Sequence, residues 1–258
     1  TKIMAVETVN AEKLAKEQAE KISGFFGRDI PKAGDWLFEA VENNRKEKLF
    51  HVDALRPFYL PRRQLAEGIT FPGLKSPLDP WIYKQIGAGR VDADADWLPE
   101  GWILVDITKR PDYNNGKQMY PDTLRFREML VTLREQDQIK VPDSYRHVPK
   151  DSHFAISADE IDGSSAVVAK AVTAILGLGA EQVSTLPYVV FNYVGNLAHP
   201  ELGQANTAEW FRGRFGRGGH LCGGDSDRGG VSSGDDWQSG GRGGLIGFRF
   251  QISSPAKA

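Results

Sequence analysis

The sequence predicts an α+β domain, and three observations carry that expectation. Helical periodicity runs through residues 10–27 and 122–138, a β-rich run stands at Gly101 to Ile107, and a Gly- and Pro-rich remainder ends in an alternating apolar segment. With 258 residues, 40% of them hydrophobic, and six Trp, the chain can bury a substantial core. Residues 1–50 read as a helical flank packed on the core, and 51–258 as the domain proper.

The first helix is expected over NAEKLAKEQAEKISGFFG, with Asn10 as cap, Glu12 in the first turn and Gly24 or Gly27 as stop. Its apolar stripe is thin (Leu14, the stem of Gln18, Ile22, Phe25 or Phe26), so it presents one contact face. A second helix, DWLFEAVENNRKEKL, is expected to be capped by Asp35 and to carry Trp36, Phe38, Val41 and Leu49 inward. Between Arg56 and Gly101 six prolines punctuate short apolar groups such as PFYLP and PWIYKQIG, which predicts packed loops without long regular elements. GWILVDI is a strand, and Asn115-Gly116 marks a tight turn. Asp122 to Gln138 is an amphipathic helix with Leu124, Phe126, Met129, Val131 and Leu133. In SADEIDGSSAVVAKAVTAILGLG a helix rich in small apolar residues is expected to be buried on most sides and to end at Gly177 or Gly179. LPYVVFNYVGN reads as a buried strand; a short helix is the alternative that ten residues of periodicity cannot separate.

Composition excludes several classes. The net charge of −2 advertises no polyanion partner, and one cysteine excludes a disulfide framework and a multi-cysteine zinc site. No apolar run approaches the roughly 18 residues of a membrane helix, so no membrane insertion is expected. The first residues, TKIMAVETVNAEKLAKEQAEK, are too polar for a secretory signal peptide.

The segment from Phe211 to Phe250 is the most informative. It holds 14 of the 28 Gly, and from Trp210 to Ala256 there is no Lys and no Glu, the usual solvating residues. A disordered linker does not need the interleaved apolar groups Trp210, Phe211, Phe215, Leu221, Val231, Trp237, Leu245, Ile246, Phe248 and Phe250. The triads at Arg217, Arg228 and Arg242 suggest an RGG-type RNA-binding tail, but six Arg meet four Asp over this segment, a feeble excess for nucleic acid. Asp225, Asp227, Gly230 and Asp236 fall at positions 1, 3, 6 and 12 of an EF-hand spacing, yet Gly229 holds position 5 and the last ligand is not Glu.

The framework Arg217-Gly218-Gly219, then small polar residues, then GLIGFRF at Gly244 to Phe250, resembles the C-terminal end of diversity-generating retroelement variable proteins, nearer to archaeal or archaeal-virus members than to bacterial ones. Bacterial relatives place a Trp after the glycine pair, where this chain has His220-Leu221. The resemblance covers roughly the last fifth of the chain. It implies a C-type-lectin fold of the formylglycine-generating-enzyme type over residues 51–258, and ligand recognition through a diversified segment, 217–246. It also implies display on a cell or virus surface. Adenine replacement at AAC-type codons cannot yield Lys, Glu, Gln, Met or Trp. From Gly218 to Ile246 only Trp237 and Gln238 belong to that excluded set.

A surface that changes freely must not hold the fold together. The constant residues Trp210, Phe211, Phe215, Trp237, Ile246, Phe248 and Phe250 are therefore expected to point inward. The ligand-facing, changeable set (His220, Cys222, Asp225, Asp227, Val231, Ser233, Asp235, Ser239, Arg242 and Leu245) is expected to point outward. That set is small and polar here, which favours a small polar ligand over a large protein hot spot, although an unidentified protein partner stays open.

No catalytic residue, cofactor or metal is assigned. Asp159, Glu160 and Asp162 read as dipole-favoured acids at a helix start, and Asp92, Asp94 and Asp96 as an exposed strand or acidic turn. His51, His147, His153 and His199 read as satisfied polar groups, and Cys222 lacks the second cysteine that formylglycine chemistry requires. The expected function is non-enzymatic recognition. The alternatives are an RNA-binding protein with a glycine-rich tail and a calcium-dependent carbohydrate binder.

Overall fold

The computed structural model describes residues 10–256, so the expectation that the N-terminus carries no signal peptide lies largely outside the described residues. The protein is α+β. Along the chain come α1 (Ala11–Phe26), α2 (Asp35–Glu47), β1 (Leu55–Leu60), β2 (Arg63–Gln64), α3 (Pro80–Gly87), β3 (Trp97–Leu98) and β4 (Gly101–Asp106). There follow α4 (Leu124–Glu135), α5 (Ala158–Ile161), α6 (Val167–Leu176), β5 (Val183–Thr185) and α7 (Tyr188–Leu197). The glycine-rich end supplies β6 (Ala208–Phe215), β7 (Gly219–Gly223), β8 (Gly234–Gln238), β9 (Ile246–Phe248) and β10 (Phe250–Ser253). No helix among the described residues is long and apolar enough to cross a membrane.

Local signals place the first helices. The Asn10 side chain accepts from the backbone N–H of Glu12 at 2.9 Å and of Lys13 at 3.3 Å, and Gly27, at φ 62°, ends α1. In α2 the cap position falls on Gly34, which has no side chain to offer, and Asp35 is the first helical residue. A carboxylate there still complements the positive end of the helix dipole. The inward face of α2 is Leu37, Ala40, Val41 and Asn44, while Trp36 and Phe38 are only half-buried. Ala15, Ile22, Leu37 and Ala40 join the same hydrophobic cluster as the strands.

The proline-rich stretch is more regular than expected. PFYLP lies in β1, which pairs antiparallel with β4 from Leu55 opposite Asp106 to Leu60 opposite Gly101. Because β1 is an edge strand of the sheet β1-β4-β10-β5, one side of its backbone has no strand partner and Pro57 breaks no ladder there. PWIYKQIG is α3, with Pro80 in the first turn and the Asp79 carboxylate accepting from Trp81 N–H at 2.8 Å.

Two further expectations are corrected. LPYVVFNYVGN forms helix α7, not a strand. Tyr188 to Gly195 are all buried, so the apolar stripe that would reveal a helix widens to the whole circumference. The small-residue segment splits at Gly163 into α5 and α6, and α6 buries one face only: Val168, Ala169, Val172, Thr173 and Leu176. Its other side leaves Ala174 exposed and, with α4, walls an open apolar groove.

The second sheet has the order β8-β7-β6-β9, with β9 parallel to β6. The chain then passes through Arg249 into β10, which lies between β4 and β5 of the first sheet. At that crossing the Arg249 guanidinium donates to both Glu209 carboxylate oxygens at 2.9 and 3.2 Å, to the Thr108 carbonyl at 2.9 Å and to the Asp106 carbonyl. Arg110 stands 3.6 Å from the same carboxylate and Tyr120 O–H donates to it at 2.8 Å. Burial by itself would raise the Glu209 carboxyl, but the charges of Arg249 and Arg110 outweigh it and hold the group below its ordinary value. Glu209→Ala would leave two buried guanidinium groups without their carboxylate. The expected loss is about 3–5 kcal/mol in urea unfolding, well above the about 1 kcal/mol typical of a point substitution.

Candidate ligand-binding cleft

The Arg217-Gly218-Gly219 motif forms the turn between β6 and β7. Gly218 adopts φ 80°, and a Cβ on Gly219 would lie 2.5 Å from the Phe215 carbonyl oxygen, so a side chain at either position is disfavoured. Phe215, half-buried, stacks on Trp81 at 5.5 Å and 16°. This hairpin forms one wall of a cleft of about 800 Å³. Arg212 and Arg214 of β6, His220 of β7, Asp159 of α5 and Asp162 just after it line the cleft, together with Trp97 and the turn bearing Asp92 and Asp94.

The acids are set by their own local bonds. Asp162 Oδ2 accepts from Thr185 N–H at 2.7 Å and Thr185 O–H at 2.8 Å, fastening α5 to β5. Asp159 Oδ2 accepts from Ser239 O–H at 3.1 Å. Glu160 turns away into a capping box with Ser157 and pairs with Arg242 at 2.7 Å. Burial raises the Glu160 carboxyl, but bonds from Arg242, Lys140 N–H and Ser157 outweigh it and leave the group below its ordinary value. The helix-start reading therefore holds for Asp159 and Glu160, both in the first turn of α5, and not for Asp162, which follows its last residue. Asp96 is buried and accepts from Gln64 at 2.9 Å, leaving Asp92 and Asp94 as the members of that turn on the cleft.

His220 is 7% exposed, its ring edge-on to Trp210 at 5.9 Å and 82°. Its Nε2 has no hydrogen-bond partner. Burial lowers the imidazole from its ordinary 6.5, against the opposing pull of Asp162, Asp159 and a hydrogen bond to the Phe211 backbone.

The outward expectation needs correction at four positions. His220, Cys222, Val231 and Ser233 are buried. His220 and Cys222 lie on β7, which β6 and β8 flank on both sides. Val231 sits against α7 and Gly203, where a Cβ on Gly203 would come within 2.3 Å of the Val231 nitrogen. Ser233 O–H donates to Asp225 at 3.1 Å. Burial also raises the Cys222 thiol, and the charges of Asp235, Asp236 and Asp225 add to this, so it stays protonated at neutral pH.

The other six reach solvent to different degrees. Asp227 and Leu245 are exposed, while Asp225, Asp235, Ser239 and Arg242 are half-buried. Asp235 is paired with Arg228. Of the framework, Trp210, Phe211, Ile246, Phe248 and Phe250 are buried, but Trp237 is 53% exposed on the edge strand β8. The cleft brings together only His220 and Ser239 of the ten changeable residues. Asp159, Asp162, Arg212 and Arg214 were not singled out as ligand-facing; the first two read as helix-start acids, and no local pattern marks the arginines.

Two RGG arginines are engaged by acids, Arg228 by Asp235 and Arg242 by Glu160. Among the described residues no three His, Cys, Asp or Glu side chains gather as a metal would require. His153 Nδ1 lies 3.0 Å from the Phe248 carbonyl, while its Nε2 lies 2.6 Å from Asp122 Oδ2 without hydrogen-bond geometry, so the satisfied reading holds for one ring nitrogen only. We find no significant match to a protein-family model, a curated protein or a solved structure.

A lowered folded-state value for His220 means that the unfolded chain binds the proton more readily. The stability tied to this residue is therefore present above pH 6.5 and is lost as pH falls through the folded value. In urea unfolding between pH 7.5 and 5, His220→Asn should lose less stability than the parent protein. Equal losses would refute the assignment.

Proposed function

We propose that the protein is a non-enzymatic recognition protein of C-type-lectin type that holds a small polar ligand in the cleft between the β6–β7 hairpin and α5. Its C-terminal segment, 217–246, is in this reading the target of retroelement diversification. The observation that carries it is that the glycine-rich segment folds into strands walling a cleft of about 800 Å³ whose lining includes both acidic and basic side chains. The GFRF residues add support: Arg249 and its neighbours span both sheets, which suits a constant frame.

The burial pattern narrows the interchangeable set. His220, Cys222, Val231 and Ser233 belong to the frame of this copy, and Asp225, Asp227, Asp235, Ser239, Arg242 and Leu245 to its variable side, of which Ser239 lines the cleft and the others lie outside it. The RNA-binding alternative loses support because Arg228 and Arg242 already serve as ion-pair partners within the fold.

Two measurements test the reading. Asp227→Ala and Leu245→Ala should each change stability by less than about 0.5 kcal/mol, whereas Val231→Ala should cost more than about 1 kcal/mol. Comparable costs on both sides would remove the division between frame and variable face. The DNA flanking the coding sequence should hold a near-copy of its 3′ segment, differing at adenines, beside a reverse-transcriptase gene. Flanking DNA with neither element would refute diversification.

A further inference from the structure

The cleft holds four carboxylates, from Asp92, Asp94, Asp159 and Asp162, and none of them stands within 4.0 Å of a Lys, Arg or His nitrogen in an ion pair among the described residues. Against them stand two guanidinium groups, Arg212 and Arg214, so the lining carries two more negative charges than positive ones. Unpaired like charges gathered on one concave surface repel, and a bound cation removes that repulsion.

The second observation is independent of the acids. His220 is more than nine-tenths buried, lines the same cleft and has no partner at Nε2. The ring is engaged with the Phe211 backbone, and desolvation disfavours its charged form. A neutral imidazole carries its proton on one ring nitrogen and a lone pair on the other. Around His220 the α5 side of the cleft therefore offers acceptors: this lone pair and the carboxylates of Asp159 and Asp162. Leaving a buried acceptor unpaired carries a desolvation penalty that a donor from the ligand relieves.

We propose that the α5 side of this cleft is a site for a protonated primary amine. An ammonium group has three donors and no acceptor, which matches a wall rich in acceptors, and its N–H···O contacts of about 2.7–3.2 Å ask for less convergence than metal ligation at about 2.0–2.6 Å. A bare divalent cation fits less well, because no metal-like convergence of three such side chains exists among the described residues. This inference rests on the cleft's being a recognition site and specifies the chemical class it recognises. The ammonium comes either from a free small amine or from a lysine side chain.

The test is an NMR titration of the full chain at pH 7.5 with 1,5-diaminopentane, Nα-acetyl-lysine methylamide, the neutral isostere 1,5-pentanediol and magnesium chloride. Expected are saturable shifts at Gly219, His220 and Ser239 with one or both amines and none with the diol. Saturation by the diamine alone assigns a free amine, and saturation by the lysine amide assigns a side chain. His220→Asn keeps a donor at the Nδ1 position but removes Nε2, and should weaken amine binding at least tenfold. His220→Gln restores a polar group at the Nε2 position and should recover part of it. Asp94→Asn, at an exposed position of its turn, should weaken binding with the fold intact. Absence of binding by both amines, equal binding to His220→Asn, or stronger binding of magnesium at the same residues overturns the proposal. If the diol binds at these residues where the amines do not, the ammonium assignment falls and the recognition reading stands.

Discussion

The guanidinium of Arg249 lies where the chain leaves one sheet and enters the other, and the rest of the architecture is arranged around its bonds. Burying one carboxylate and two guanidinium groups is expensive unless each finds partners, and here Glu209 is bonded by Arg249 and Tyr120 and flanked by Arg110. The same Arg249 reaches the carbonyls of Asp106 and Thr108, at the end of β4. Strands β4, β6, β9 and β10 are thus referred to one polar centre. Hydrophobic packing alone tolerates sliding; a satisfied buried network does so far less, because a shift would orphan charged groups in a medium that cannot solvate them.

That centre also explains how a glycine-rich segment can be ordered. Phe248 and Phe250 flank Arg249 and are buried, and β7 is held between β6 and β8 by ladders on both sides. Several glycines sit where other backbone arrives. A Cβ on Gly230 would lie 2.6 Å from the Gly203 carbonyl oxygen, and one on Gly247 would meet the Tyr120 hydroxyl at 2.7 Å. Composition reads such glycines as looseness, whereas here their small volume permits close packing.

What the sequence revealed divides along the range of the interactions. The Asn10 cap, the Gly27 stop, the Asn115-Gly116 turn and the β4 strand depend on neighbours a few residues away, and all were legible. The α7 helix was not, because burial on every side erases its period. Nor was β1, since tolerance of Pro57 depends on β1 being an edge strand, a fact of sheet order. Side-chain direction in the glycine-rich end was only half legible. Leu245 and Asp227 face solvent as expected, but His220 and Cys222 lie on a strand whose cover comes from distant segments. The cleft's acids were visible only as two separate groups, read as helix-start acids and as an exposed strand or acidic turn, and the fold alone brings them together with Arg212 and Arg214.

The same separation of ranges bears on how a segment of this kind can vary. A side chain at Asp227 or Leu245 ends in solvent, so its replacement is felt only locally. One at Val231 presses on Gly203 and α7, and one at Ser233 holds Asp225 in place. Change at these interior positions propagates to the α7 packing or to the loop that carries the exposed residues. His220 stands between the two cases, because it packs on Trp210 and yet lines the cleft. Replacing it alters the chemistry of the wall and the packing behind it together. A frame that couples them at one residue ties the packing of β7 to the chemistry of the cleft wall.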